Sequence, residues 1–299
     1  MAAAESRRAA DPEFVDLAVT NPTRVGLGLE TPGPLIFGHD YDPDPQGLAA
    51  ARSAVAACYR ASGASVSAED IVLTASTSEA YAFLFKLLAD PGDEVLVPEP
   101  SYPLFEHLTV LEGVVPRPYP LVYSGGRWCV DLEAVTERIS PRSRGLVLVH
   151  PNNPTGSYLH LEEIETLGRL TATHDLPLII DEVFFEYPRA HLEFTPIRPA
   201  DHCPEPLIFS LGGLSKLCAM PQAKLAWIRV SGHQSLKRSA LEKLNFIADA
   251  YLSVGTAVQV ALPTLLGHAK PAQSRIRARL EANGALLAQR SREVPDLRE

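Results

Sequence analysis

The chain has 299 residues, enough for one large α/β domain and part of a second. With 46% hydrophobic and 21% charged residues it has an ordinary globular balance, which argues against wholesale disorder. A formal net charge of −9 without a basic run argues against a nucleic-acid or anionic-lipid partner, and the apolar stretches are too short and broken to span a bilayer.

The predicted elements alternate from about residue 47. Gly47 to Ala61 is helical in pattern, and Ile71 to Thr74 is a short buried strand. Ser78 to Leu88 is an amphipathic helix closed by Asp90-Pro91-Gly92; Glu94 to Val97 is a strand and Leu104 to Leu111 a helix. Strands come next at Gly113 to Pro118 and Gly145 to His150, with a short helix at Leu132 to Ile139 between them. Leu161 to His174 is helical, Pro177 to Ile180 a strand ending at Asp181, and Leu207 to Leu211 and Leu225 to Val230 two more strands. From Ser235 onward the pattern is mostly helical. Strands alternating with helices predict an α/β fold: a mostly parallel, seven-stranded sheet flanked by helices. Met1 to Ala10 has two arginines but no apolar core behind them, so it reads as a terminus and not a secretory signal. Cys58, Cys129, Cys203 and Cys218 form no C-x-x-C pair and have no histidine at metal-ligand spacing. Reduced, buried or half-buried thiols of a cytoplasmic protein, without a metal site, are expected.

In open α/β sheets chemistry gathers at the carboxyl ends of strands, so the residues just past each strand carry the most information. After the strand at Gly145 comes His150-Pro151-Asn152-Asn153-Pro154-Thr155-Gly156, a tight turn that holds asparagine amides; alone it is no more than a turn. Asp181 comes directly after three apolar residues, so its carboxylate should face the cleft and need a cationic or donor partner. Gly212-Gly213-Leu214-Ser215-Lys216 carries the single lysine, of six, that is reached from a buried strand through a glycine pair. Such an amine becomes a nucleophile when desolvated, although a plain surface lysine has the same local sequence. Ser76-Thr77-Ser78 opens a helix, where free N–H groups suit an anion; a simple N-cap by Ser76 or Thr77 is the plainer reading. Tyr102, between Pro100 and Pro103, is a rigid aromatic face or packed core.

Taken together, these strings resemble, in order over roughly residues 20–270, the fold-type I pyridoxal 5′-phosphate (PLP) enzymes of the class I/II aminotransferase family. The resemblance implies a PLP-transferase type I large domain over 46–270, with the small domain only partly present: an N-terminal segment or dimer arm over 1–45 and the start of a C-terminal portion over 271–299. It implies that Lys216 forms a Schiff base with PLP and shuttles a proton, and that Asp181 pairs with the pyridinium nitrogen. By the same resemblance Asn153 donates to the 3′-oxygen, Tyr102 stacks on the ring, and Thr77, Ser78, Ser215 and Lys224 hold the phosphate. Tyr41, in Tyr41-Asp42-Pro43, matches a tyrosine that reaches the site of the neighbouring subunit, implying a homodimer. Asn21-Pro22-Thr23 falls where the family's substrate-facing segment lies.

Three positions depart from the family pattern. Phe184 replaces a tyrosine, which removes a donor to the 3′-oxygen and should raise the Schiff-base pKa. Lys224 replaces an arginine, exchanging a bidentate fork for a point charge. Gly213 replaces a serine, for which Ser215 or Ser210 could stand in. The sequence also stops at Glu299, before the segment that in the family carries the arginine for the substrate carboxylate. The implied activity is transamination between an amino acid and a 2-oxo acid. The alternatives are a PLP-dependent C–S lyase or related elimination enzyme, and a PLP-binding protein inactive for want of a complete small domain.

Overall fold

A computed structural model describes residues 43–189, 192 and 194–292. Eight strands form one sheet: β1 (Ile71–Thr74), β2 (Glu94–Glu99), β3 (Val115–Ser124), β4 (Arg127–Val130), β5 (Ser143–Val149), β6 (Leu178–Asp181), β7 (Ile208–Gly213) and β8 (Ala226–Ser231). Their order is β1-β8-β7-β6-β5-β2-β3-β4. The pairs β2–β3, β2–β5, β5–β6 and β6–β7 are parallel; β1–β8, β7–β8 and β3–β4 are antiparallel. The sheet therefore has one strand more than the seven expected. The extra strand, β4, folds back on a β3 that runs on to Ser124, past the Pro118 expected from sequence. The turn between them is Gly125-Gly126, both at positive φ, which is the backbone a two-residue hairpin turn requires.

The helices are α1 (Ala49–Ala61), α2 (Thr77–Leu88), α3 (Leu104–Leu111), α4 (Leu132–Arg138), α5 (Leu161–Thr173), α6 (Leu214–Leu217), α7 (Gln234–Tyr251), α8 (Thr256–Gly267) and α9 (Ala269–Ser291). They cover both faces of the sheet, and the central strands show why. Successive side chains point to opposite faces, and both faces are apolar. Val147, Val149 and Ile179 pack with Tyr81, Leu84 and Phe85 of α2 and with Ala240 and Leu244 of α7. Leu146, Leu148, Leu178 and Ile180 pack on the opposite side with Val135 of α4 and Ile164 and Leu167 of α5. A third cluster joins Val55 and Tyr59 of α1 to Leu73, Leu214, Trp227 and Leu262.

This alternation carries into the end of β6. Asp181 comes after Ile180, so its carboxylate turns toward the face covered by α2, while Glu182 turns to the face covered by α1. The helix α9 runs unbroken across the boundary expected near residue 270. Among the described residues no helix is long and apolar enough to cross a membrane, and no cluster of three or more metal-ligating side chains occurs.

Candidate active site

The strand order brings the chemistry-bearing segments to one edge. β1, β7, β6, β5 and β2 run in the same direction, so their carboxyl ends lie together; β8 runs the other way, so its start lies there too. Register fixes the rows. Thr74 and Gly213 both pair with Ala226, and Asp181 lies between Leu211 and Val149. Thr77 and Ser78 after β1, Ser215 and Lys216 after β7, Asn153 after β5, Tyr102 after β2 and Lys224 before β8 thus ring the same edge as Asp181. Tyr41 and Asn21-Pro22-Thr23 lie outside the described residues.

Asp181 is buried, and among the described residues it has no ion-pair partner within contact. Tyr81 Oη donates to Oδ2 at 3.2 Å, and the Val183 backbone N–H donates to Oδ1 at 3.1 Å. Burial pushes its pKa up to about 6, against the two hydrogen bonds and the positive charge of Lys216, which pull it down. A carboxylate so held retains lone pairs that nothing among the described residues uses. It is the donor-hungry group that a protonated ring nitrogen would satisfy.

Lys216 is exposed on the one-turn helix α6, and its Nζ lies 5.5 Å from the centre of the Phe184 ring. Its backbone carbonyl accepts a hydrogen bond from Tyr187 Oη at 2.5 Å. The glycines before it have a steric reason. A Cβ on Gly212 would lie 2.6 Å from Nε1 of Trp227, and one on Gly213 would lie 3.0 Å from the Cβ of Ala226. A serine at 213 would thus crowd β8. Ser210 does not replace it: it is fully buried in mid-strand, paired in register with Ile180 and Arg229, away from the edge. Ser215 is half-buried at the edge, and Lys224 is exposed in a left-handed conformation just before β8.

Ser76 proves to be the N-cap of α2, accepting the Glu79 N–H at 3.1 Å, while Glu79 Oε2 accepts the Ala75 N–H at 2.7 Å. The N–H groups of Thr77 and Ser78 have no carbonyl of their own helix to bond, which leaves a donor cradle at the positive end of a twelve-residue helix. In the turn after β5, Asn152 is the asparagine that is tied down, its Nδ2 donating to the Pro100 carbonyl and to Thr155 Oγ1. Asn153, next in the turn, is half-buried. His150 anchors the turn from beneath: Nδ1 accepts the Leu159 N–H at 3.1 Å, so Nε2 carries the proton to the Ile197 carbonyl at 3.0 Å. Tyr102 is 43% exposed, edge-on to Phe105 with ring centres 6.2 Å apart, so it is a free aromatic face and not packed core.

Three groups at or behind the site carry no clear signal in the sequence. Tyr81 is one apolar position among many on an amphipathic helix. Tyr187 and Arg198 belong to the irregular stretch after β6, where periodicity is silent. Arg198 bonds Glu182 at 2.8 Å and Glu186 at 2.7 Å and stacks 3.7 Å from the centre of Phe185. Arg198, Glu182 and Glu186 line, with Tyr59, Trp227 and Gly212, a cavity of about 60 Å³ on the other face of the sheet. The four cysteines are unpaired; Cys58 is exposed, contrary to the buried or half-buried placement expected.

The family model for aminotransferase class I and II matches residues 41–296. The glutamate-pyruvate aminotransferase AlaA of Escherichia coli K12 is 31% identical over 225 residues, 75% of this chain and 55% of that protein. Human tyrosine aminotransferase is 25% identical over 268 residues, 82% of this chain and 58% of the relative. This chain thus spans little more than half the length of these curated relatives. The structure of an alanine aminotransferase from Pyrococcus furiosus superposes with a TM-score of 0.78 at 26% identity, covering 86% of this chain and 65% of that one. An aspartate aminotransferase of Thermus thermophilus gives a TM-score of 0.73 at 27% identity, covering 83% and 63%. On sequence and fold alike, this chain belongs to the class I and II aminotransferase family.

Proposed function

We propose that this chain binds PLP at the described sheet edge and moves an amino group between an amino acid and a 2-oxo acid. The observation that carries the reading is the buried Asp181 carboxylate, held by two neutral donors and without an ion-pair partner among the described residues, on the edge that also presents Lys216. When bound, the cofactor supplies an electron sink for the charge that develops at the substrate Cα.

The residues divide the work. Asp181 pairs with the ring nitrogen and keeps it protonated. Asn153 faces the ring's 3′-oxygen without help from residue 184, which is phenylalanine and has no hydroxyl to give. Tyr102 covers the ring, and the N–H groups at Thr77 and Ser78, the Ser215 hydroxyl and the Lys224 ammonium take the phosphate. Lys216 would hold the cofactor's aldehyde and serve the proton at the substrate Cα, with the Phe184 ring 5.5 Å from its Nζ. Tyr41 completes the site of a second copy in a homodimer, residues 1–45 and 271–299 belong to a smaller domain, and the unpaired cysteines suit the reducing cytoplasm. The relatives' names support the reaction class.

Borohydride treatment of the yellow protein followed by peptide mapping should place the reduced adduct on Lys216. Lys216→Ala should abolish the adduct and lower amino transfer at least a thousandfold. With an amino acid and 2-oxoglutarate the native chain should make a new amino acid; pyruvate and ammonia instead would make it an elimination enzyme. An adduct elsewhere, or none, would sink the cofactor reading.

A further inference from the structure

Tyr81 has a hydroxyl whose partner is unusual for a core tyrosine. Buried tyrosines need a hydrogen-bond acceptor, and a backbone carbonyl commonly serves, as Val147 O does for Tyr119 at 2.7 Å. Tyr81 instead spends its hydroxyl on Asp181, a hundred residues away in sequence. Its ring is 2% exposed and fixed on two sides, edge-on to Phe105 with centres 5.2 Å apart and tilted against Phe85 at 5.9 Å. The hydroxyl therefore has little freedom to leave.

We propose that Tyr81 is a positioning residue of the site: its clamped hydroxyl fixes the orientation of the Asp181 carboxylate and stabilises its charge for a cationic ring nitrogen. The proposal rests on the cofactor reading above. Geometry assigns the two oxygens different holders, Tyr81 on Oδ2 from α2 and the Val183 N–H on Oδ1 from the strand's own continuation. Together they fix the plane of the carboxylate. Of the other titratable groups nearby, Lys216 acts on Asp181 by charge from α6. Tyr119 and Tyr102 bear on Tyr81 itself, Tyr119 with its own hydroxyl engaged. The His150 ring is used on both nitrogens by Ile197 and Leu159. Among the described residues Tyr81 is thus the side-chain donor to Asp181. Burial and the Asp181 charge push its own pKa well above the usual phenol range, so it remains a donor at any working pH.

The test uses Tyr81→Phe, which keeps the ring and removes one oxygen. In cofactor-free protein the Asp181 carboxyl, labelled with ¹³C and assigned through Asp181→Asn, should titrate about one unit higher in the variant, since a lost hydrogen bond to the charged form raises the pKa. At a pH below the native midpoint, where the free carboxyl is protonated and must ionise on binding, equilibrium dialysis should show PLP binding about tenfold weaker, the equivalent of that unit. A purely packing role would move the melting temperature and leave the titration in place. Unchanged midpoint and unchanged affinity overturn the proposal. Should Tyr81→Phe fail to fold, 3,5-difluorotyrosine at position 81, a stronger donor of nearly the same shape, should lower the midpoint; no shift overturns it equally. Failure of the cofactor reading looks different: the native chain takes up no PLP while the Asp181 titration still answers to the group at position 81.

Discussion

Asp181 and His150, on adjacent strand ends, are buried titratable groups whose pKa values are shifted in opposite directions. Burial raises Asp181 to about 6, from 3.8, and lowers His150 to about 4, from 6.5. For Asp181 the folded state binds the proton more tightly than the unfolded chain, so its contribution to stability falls as pH rises from about 4 to 6. For His150 the unfolded chain binds the proton more tightly, so stability is lost as pH falls from about 6.5 to 4. The two nearly cancel across one window. Asp181→Asn removes the titration and leaves one oxygen to accept where two did. The cofactor-free variant should therefore melt higher than the native chain above pH 6, by the equivalent of about 3 kcal/mol at most. It should also show a steeper loss below pH 6, where His150 acts alone. Equal melting curves at all pH values would mean Asp181 ionises freely. Asp181, Asn153 and Lys216 are legible in the sequence because each comes soon after a buried strand, where direction and edge are already decided. Tyr81 is not, because a tyrosine on the apolar stripe of a helix looks the same whether its hydroxyl meets a carbonyl or a carboxylate.

At the scale of elements, the end of β7 and the start of β8 are machined to each other. Gly212 lets the Trp227 indole lie flat against the strand, and that indole donates to Tyr59 Oη at 3.1 Å. Gly212→Ala would place a methyl carbon 2.6 Å from the indole nitrogen, so strand or ring must shift. The expected outcome is a loss of about 1–3 kcal/mol by denaturant unfolding, as for other overpacked cores. A changed Trp227 emission and weaker PLP uptake should accompany it; a variant as stable as the native chain, with unchanged emission, would refute the account. Sequence periodicity locates most central strands and helices to within a few residues, because both faces of those strands are apolar and the breaks are rich in proline and glycine. It passes over β4, where Arg127 to Cys129 are half-buried, Val130 alone is buried, and the four residues are too few for a pattern. Gly125-Gly126 is the available signal.

Across the whole molecule, buried charge gathers in one network on the α1 face of the sheet. Behind the site edge, Arg198 bridges Glu182 and Glu186, and Arg229 meets Asp201 at 2.5 Å, with Tyr59 between the two guanidinium groups. Burial pushes the Glu182 pKa up while Arg198 and Arg229 draw it back. Arg198→Met would strand Glu182 without its cation, a change that costs about 3–5 kcal/mol in buried pairs. Chemical denaturation should show that loss, and Arg198→Met with Glu182→Gln should recover much of it. If the double variant is no better than the single one, the network is not acting as a charge pair. None of this is readable from sequence, since Glu182 and Arg198 are joined only by how the irregular stretch after β6 folds back.

The reversed direction of β8 also ties two cations together. Because that strand enters at the edge where β7 leaves, the polypeptide makes a single short excursion there and returns. Lys216 and Lys224 both ride on it, eight residues apart. The two ammonium groups are thus tethered to one hairpin-like detour, not delivered by independent supports. An insertion or a proteolytic nick between Leu217 and Ala223 would dislocate both at once.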